Sequence, residues 1–198
     1  TTRCIRAAVD PLAMLRVNHA ASQASHQRLG RRMRPDWNAA NSWLLTDVSA
    51  ALAGPHGPFY DMQVDRARFL KTRHATERSI PVETSRQRYV PKEQVAAVAS
   101  QLQEGDFVNV ISTRDGAHWA SHVGLVVLGP DGERRLLHSQ EPKVREESFD
   151  SFIARAHERE ARNAREGKNG QRLAGFKFLR LNDNIVVPPM APQPRPGT

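Results

Sequence analysis

"ASHVGLVVLGPDGERRLLHSQ", residues 120–140, is the stretch that most narrows what this chain can become. Two apolar runs, "SHVGLVVL" and "ERRLLHS", flank a Gly-Pro-Asp-Gly turn signal, which predicts a β-hairpin. Gly124 in the first run permits close approach of another backbone. With the turn centred on Pro130 and Asp131, the register permits His122 and His138 to face each other directly. Cross-strand neighbours of that kind have Cβ atoms ~5 Å apart. Either histidine alone reads as a solvent-exposed strand residue; together they form one candidate site.

The remaining strand signals lie near this hairpin. "DFVNVIST" at 106–113 is rich in β-branched residues, and "LAGFKFLRL" at 173–181 reads as a last strand. "SIPVETSRQRYVP" at 79–91 looks extended, whereas residues 60–75 fit neither period cleanly. Helical spacing marks 5–22, with Pro11 as a kink or restart, and 36–54, from Asp36 as N-cap to Gly54. It also marks 91–105, with Pro91 near the first turn, and the charged amphipathic run 148–167. Residues 26–36 are a basic loop. Helices first and strands later argue for an α+β fold rather than alternating βαβ units. A chain of 198 residues suits a single domain over 1–185, followed by the Pro-rich tail "VVPPMAPQPRPGT" at 186–198.

Charge and cysteine usage bound the function. The net charge of +8 favours polyanionic partners, although a solvated basic surface explains it better than nucleic-acid recognition does. Scattered charges and 6% aromatic residues argue against nucleic acid as the partner. No apolar run reaches the ~20 residues that a membrane-spanning helix needs. The chain opens on Thr1 without an initiator Met and shows no leader, as expected of a processed or trimmed form. A single cysteine, Cys4, excludes an internal disulfide and a Cys-based zinc site. His118, His122 and His138 match no metal-ligand spacing, and no glycine loop suits a phosphate, so no cofactor and no metal are expected.

Cys4 stands at the N-terminal edge of the helix predicted for 5–22, between Arg3 and Arg6. A helix N-terminus and flanking cations both favour thiolate, the attacking species. A small buried hydrophobe near a terminus is the equal alternative on position alone. A nucleophilic thiol needs an imidazole base and a group to orient that base. His122 is the candidate base and His138 the candidate orienter.

"GDFVNVISTRDGAHWASHVGLVVLGPDGERRLLHSQEPKV" resembles the core of the NlpC-like branch of the papain-fold cysteine peptidases. Within that branch it resembles the bacterial N-acetylmuramoyl-L-alanine amidase-like family. The shared features are a strand opened by "GD", an "SHVG" strand, a strand ending in "LLH", and "KV" soon after. "DWNAANSWLLTDV", "IPVETSRQRYVPKEQV" and "GFKFLRL" extend the likeness over roughly residues 30–181. The resemblance implies a papain-like, NlpC-type fold, with N-terminal helices packed on a small antiparallel sheet. It implies a Cys-His-His triad of Cys4, His122 and His138 that cuts an amide of peptidoglycan through a thioester. That amide is either the N-acetylmuramoyl-L-alanine bond or one within the stem peptide. The expected partner is peptidoglycan or a muropeptide, the expected compartment periplasmic or secreted, and the expected state a monomer. In the family the cysteine precedes a Thr pair, whereas here Cys4 follows Thr1 and Thr2. That departure leaves an inactive cell-wall or polyanion binder on the same fold as the alternative.

Overall fold

The structure is a computed structural model that describes residues 38, 41–140 and 143–185. Cys4, the helix predicted for 5–22, the loop at 26–36 and the tail at 186–198 lie outside the described residues. The chain divides into two compact units, one of residues 46–181 and one of residues 1–45 with 182–198. In the latter, the Asn182 backbone N–H donates to the Leu44 carbonyl at 2.9 Å and its side-chain amide to the Trp43 carbonyl at 2.9 Å.

The first strand, β1 (Leu45–Asp47), begins at the boundary and leads into α1 (Ser49–Ala53). A ribbon of β2 (Phe59–Val64) and β3 (Glu83–Arg88) flanks α2 (Arg66–His74). Next come the short β4 (Val90–Pro91) and a broken helical stretch whose α-helical turn is α3 (Val95–Val98). The run β5 (Phe107–Arg114), β6 (Ala117–Leu128), β7 (Arg134–Gln140) and β8 (Lys143–Ser148) precedes α4 (Phe149–Arg165) and β9 (Arg172–Leu181). A seven-stranded sheet takes the order β1-β9-β5-β6-β7-β8, with β4 also on β9. Strands β4 through β9 pair antiparallel within it.

Central strand β5 is buried on both faces from Val108 to Ser112, which its β-branched composition suits. Val108, Val110, Val126, Leu136, Phe176 and Phe178 build the core face, and Phe149 and Ala156 of α4 cover it. The Phe149 ring meets Phe176 edge-on at 5.2 Å, a geometry the ring quadrupoles favour. Several sequence signals set α4. The Ser148 hydroxyl accepts from the Ser151 N–H at 3.1 Å, Asp150 lies in the first turn, and Arg162 and Arg165 lie in the last. Gly167, at φ +64°, lies just past its end.

In β2, buried Tyr60, Met62 and Val64 alternate with exposed Phe59, Asp61 and Gln63, the period of a half-buried strand. Tyr60 packs against the rings of Tyr89 and His118, each at 5.6 Å. Burial and the Asp47 carboxylate push its phenol pKa up, so it stays a donor. Lys177, buried in β9, pairs with the Asp47 carboxylate and the Gln87 side-chain carbonyl.

Three expectations change. The described chain is mostly antiparallel sheet with a few short helices, a mixed α+β fold, which overturns the papain-like picture of helices on a small sheet. Over residues 41–54 the helix predicted for 36–54 gives way to strand β1 and a five-residue α1, because Leu45–Asp47 is drawn into the sheet. Tertiary pairing overrides helical spacing there. The helix predicted for 91–105 is a succession of 3-10, α and 3-10 turns over Lys92–Gln101, closed by extended Leu102.

Candidate active site

β6 carries a bulge where it passes β5. Val110 opposes His122 and Ile111 opposes Ala120, leaving Ser121 as the extra residue. The Ser121 hydroxyl donates to the Val110 carbonyl at 3.3 Å and lies 2.7 Å from the Ser112 hydroxyl. β9 is also irregular against β5 one step along, between Ile111 and Ser112. Bulges bend a strand and re-aim its side chains; here His122 sits on the face that α4 covers.

The hairpin turn sets the partner strand. The Gly132 N–H donates to the Gly129 carbonyl at 2.9 Å, and Gly132 takes φ +79°, a left-handed value that glycine adopts without steric cost. Leu125 then opposes Leu137 and Leu128 opposes Arg134. Extending that register sets His138 opposite Gly124, so His122 lies diagonal to His138 rather than directly across from it. The rings nevertheless meet. His122 Nε2 is 2.9 Å from His138 Nδ1, with the ring planes at 89°. Gly124 makes room, since a Cβ there would lie 2.6 Å from Leu136 Cδ1, 2.8 Å from the Leu137 carbonyl oxygen and 3.2 Å from His138 Cβ. Gly124→Ala should therefore force β7 outward and cost about 1–3 kcal/mol, as overpacking does. Urea unfolding should show a lower midpoint at unchanged slope; an unmoved midpoint would contradict the close approach.

The chain of contacts continues onto β8 and α4. His138 Nε2 lies 2.7 Å from Glu147 Oε1, and Arg155 grips the same carboxylate with Nε, at 2.9 Å, and with Nη2. Phe152 meets the His138 ring edge-on at 5.4 Å. The His138 side chain is fully buried and that of Glu147 is 13% exposed. The fork of Arg155 donates to the Glu147 carboxylate, and a carboxylate only accepts. His138 Nε2 must then carry the proton. In a neutral ring that leaves His138 Nδ1 as an acceptor, so His122 Nε2–H donates to it. The neutral His122 ring therefore holds its lone pair on Nδ1, the atom able to take a proton.

His122 opens onto a cleft of ≈ 390 Å³. Ser112, Ser121, Gln140, Arg155 and Arg159 are among its other walls. Among the described residues, no group of three or more His, Cys, Asp or Glu side chains could hold a metal ion.

The family model described as N-acetylmuramoyl-L-alanine amidase-like (AmiA-like) matches residues 17–157. The chain belongs to the N-acetylmuramoyl-L-alanine amidase-like family. An N-acetylmuramoyl-L-alanine amidase of Bacteroides uniformis is similar in structure, at TM-score 0.52 and 14% identity, over 76% of this chain and 64% of that one. A Bacteroides fragilis protein that carries the name xylanase matches at TM-score 0.52 and 16% identity, over 76% of this chain and 65% of that one. The chain thus spans just under two thirds of the length of each. No curated protein matches it. At such identities the likeness is one of fold, and these relatives do not indicate a papain-like or NlpC-type architecture, which is the second ground for correcting that expectation.

For this amidase-like chain, the structure brings His122 and His138 together, while Cys4 lies outside the described residues. Sequence reasoning missed Glu147 and Arg155. The strand that carries Glu147, β8, was not read from the sequence, and Arg155 is one of many charges on α4.

Proposed function

We propose that this protein hydrolyses an amide bond of peptidoglycan, the N-acetylmuramoyl-L-alanine bond or one within the stem peptide, with His122 as general base. The observation that carries the proposal is the hydrogen-bonded chain His122–His138–Glu147, which sets the lone pair of His122 on Nδ1. The nucleophile in this reading is the Cys4 thiol, the single sulfhydryl of the sequence. His122 Nδ1 takes the thiol proton, and the thiolate attacks the amide carbonyl. The tetrahedral adduct collapses as the His122 imidazolium protonates the departing amine. A thioester remains, which water cleaves after losing its proton to the same nitrogen. His138 and Glu147 act through His122, holding its tautomer and stabilising the imidazolium as it forms. A substrate of this kind places the protein in the bacterial cell envelope, periplasmic or secreted.

The test is incubation of purified muropeptides with the protein, followed by chromatography and mass spectrometry. The expected product is a peptide with a newly freed amine, and complete alkylation of Cys4 with iodoacetamide should stop its formation. Undiminished product after full alkylation would remove Cys4 as nucleophile. No product from the untreated protein would remove the amidase reading itself.

A further inference from the structure

The α4 wall of the cleft that His122 opens onto is cationic. Arg155, Arg159 and Arg162 of α4 all line it, at a spacing of four and then three residues. That spacing keeps them on one stripe of the helix, facing the same space. Arg155 is occupied, since its guanidinium grips Glu147 and reaches the Gln140 side-chain carbonyl at 3.4 Å. Among the described residues the other two, half-buried Arg159 and exposed Arg162, have no such partner. Among the described residues, neither Arg159 nor Arg162 has a carboxylate within ion-pair distance. The Nε of Arg159 is buried with no acceptor. Glu158 also lines the cleft but pairs with neither arginine.

A buried guanidinium N–H without an acceptor is costly. Two neighbouring guanidinium groups on one stripe also repel each other. An arrangement of this kind is relieved by an anion that takes both forks, and a carboxylate fits a guanidinium fork two bonds at a time. The neutral walls, Ser112, Ser121, Gln140 and Gln171, supply hydrogen bonds but no competing charge.

We infer that Arg159 and Arg162 bind a free carboxylate of the substrate, an acidic group of the stem peptide, and so set which amide carbonyl stands beside His122. This rests on the peptidoglycan reading for the identity of the substrate, but the anion site itself follows from the unpaired cations. The arginines determine specificity and do not touch the scissile bond. Their loss weakens binding and leaves the chemical step in place.

The experiment uses two probes, a synthetic stem tripeptide with free carboxylates and the same peptide with those carboxylates amidated. Binding of each to the full chain is measured by calorimetry at low and moderate salt. The acid should bind at least about tenfold more tightly than the amide, as charge-assisted bonds imply. That preference should shrink with salt and disappear in Arg159→Gln and Arg162→Gln. Arg159→Lys, which keeps the charge and the apolar stem but loses the fork, should hold an intermediate preference, and thermal unfolding checks that each variant is folded. With a cleavable muropeptide, the Gln variants should raise KM about tenfold with kcat nearly unchanged. Equal binding of acid and amide by the unaltered protein overturns the inference, whether or not the protein hydrolyses anything. So does inorganic phosphate binding as tightly as the acid peptide, which would mark a general anion site. Arginine-dependent binding of the acid without hydrolysis would sustain this inference and defeat the amidase reading.

Discussion

His122→Ala is expected to lower kcat/KM for muropeptide hydrolysis by about 10²–10⁴-fold, the usual contribution of a positioned general base. His122 is half-buried and opens onto the cleft, so its removal leaves the sheet in place. Unfolding free energy should fall by no more than about 1 kcal/mol. His138 Nδ1 loses its donor, and water entering from the cleft can replace it. Purified variant and parent are compared by release of the amine product at saturating and limiting substrate. Circular dichroism and urea unfolding are run on the same samples. A rate within about threefold of the parent, with both proteins folded, would show that the proton is taken elsewhere and would end the role assigned to this imidazole.

Glu147→Ala should have the second-largest effect and should differ in kind. Here both stability and rate fall. The His138 Nε2–H is left without an acceptor in a fully buried side chain, at a cost of about 1–3 kcal/mol. Arg155 loses its counter-ion at the same time. With nothing to hold its tautomer, His138 can carry its proton on Nδ1, and His122 Nε2 then becomes the acceptor. That moves the proton of His122 to Nδ1 and removes the base. In triad enzymes a wrong tautomer costs up to about 10⁴ in kcat, and a loss of between about 10² and 10⁴ is expected here. The loss should fall mainly on kcat, because Glu147 does not line the cleft, while any change in KM should come through Arg155, which does line it and loses its counter-ion. Glu147→Asp keeps the charge one methylene shorter and should recover part of the rate. A variant that loses stability but keeps its kcat would make Glu147 a packing partner only.

The hairpin was legible because its turn chemistry and alternation agree, and both act over neighbouring residues. Its register was not. A turn centred between Pro130 and Asp131 is compatible with pairings that differ by a residue or two, and the left-handed Gly132 selects one of them. The long helix α4 was readable from its amphipathic spacing. β1 was not, because "LTD" lies inside a helically spaced run and becomes a strand only through the neighbour it meets in the sheet. His122 and His138 could be paired on paper since one turn separates them. Glu147 and Arg155 reach them through a third strand and a helix, and no local periodicity reports that. The papain-like expectation came from motif likeness, which carries the order of strands and histidines but not the size of the sheet around them.

From the Ser121 bulge to Arg155, every group in the proton-handling chain comes from successive elements of one uninterrupted run of backbone. Few residues separate each partner from the next, so little loop entropy is spent in assembling them. Catalytic groups drawn from distant parts of a chain wait on the last steps of folding. This one needs only β6, β7, β8 and the start of α4, neighbours in sequence, to come together. The acid–base half of the site is in that sense self-contained, able to stand ready before whatever nucleophile it serves is delivered to it.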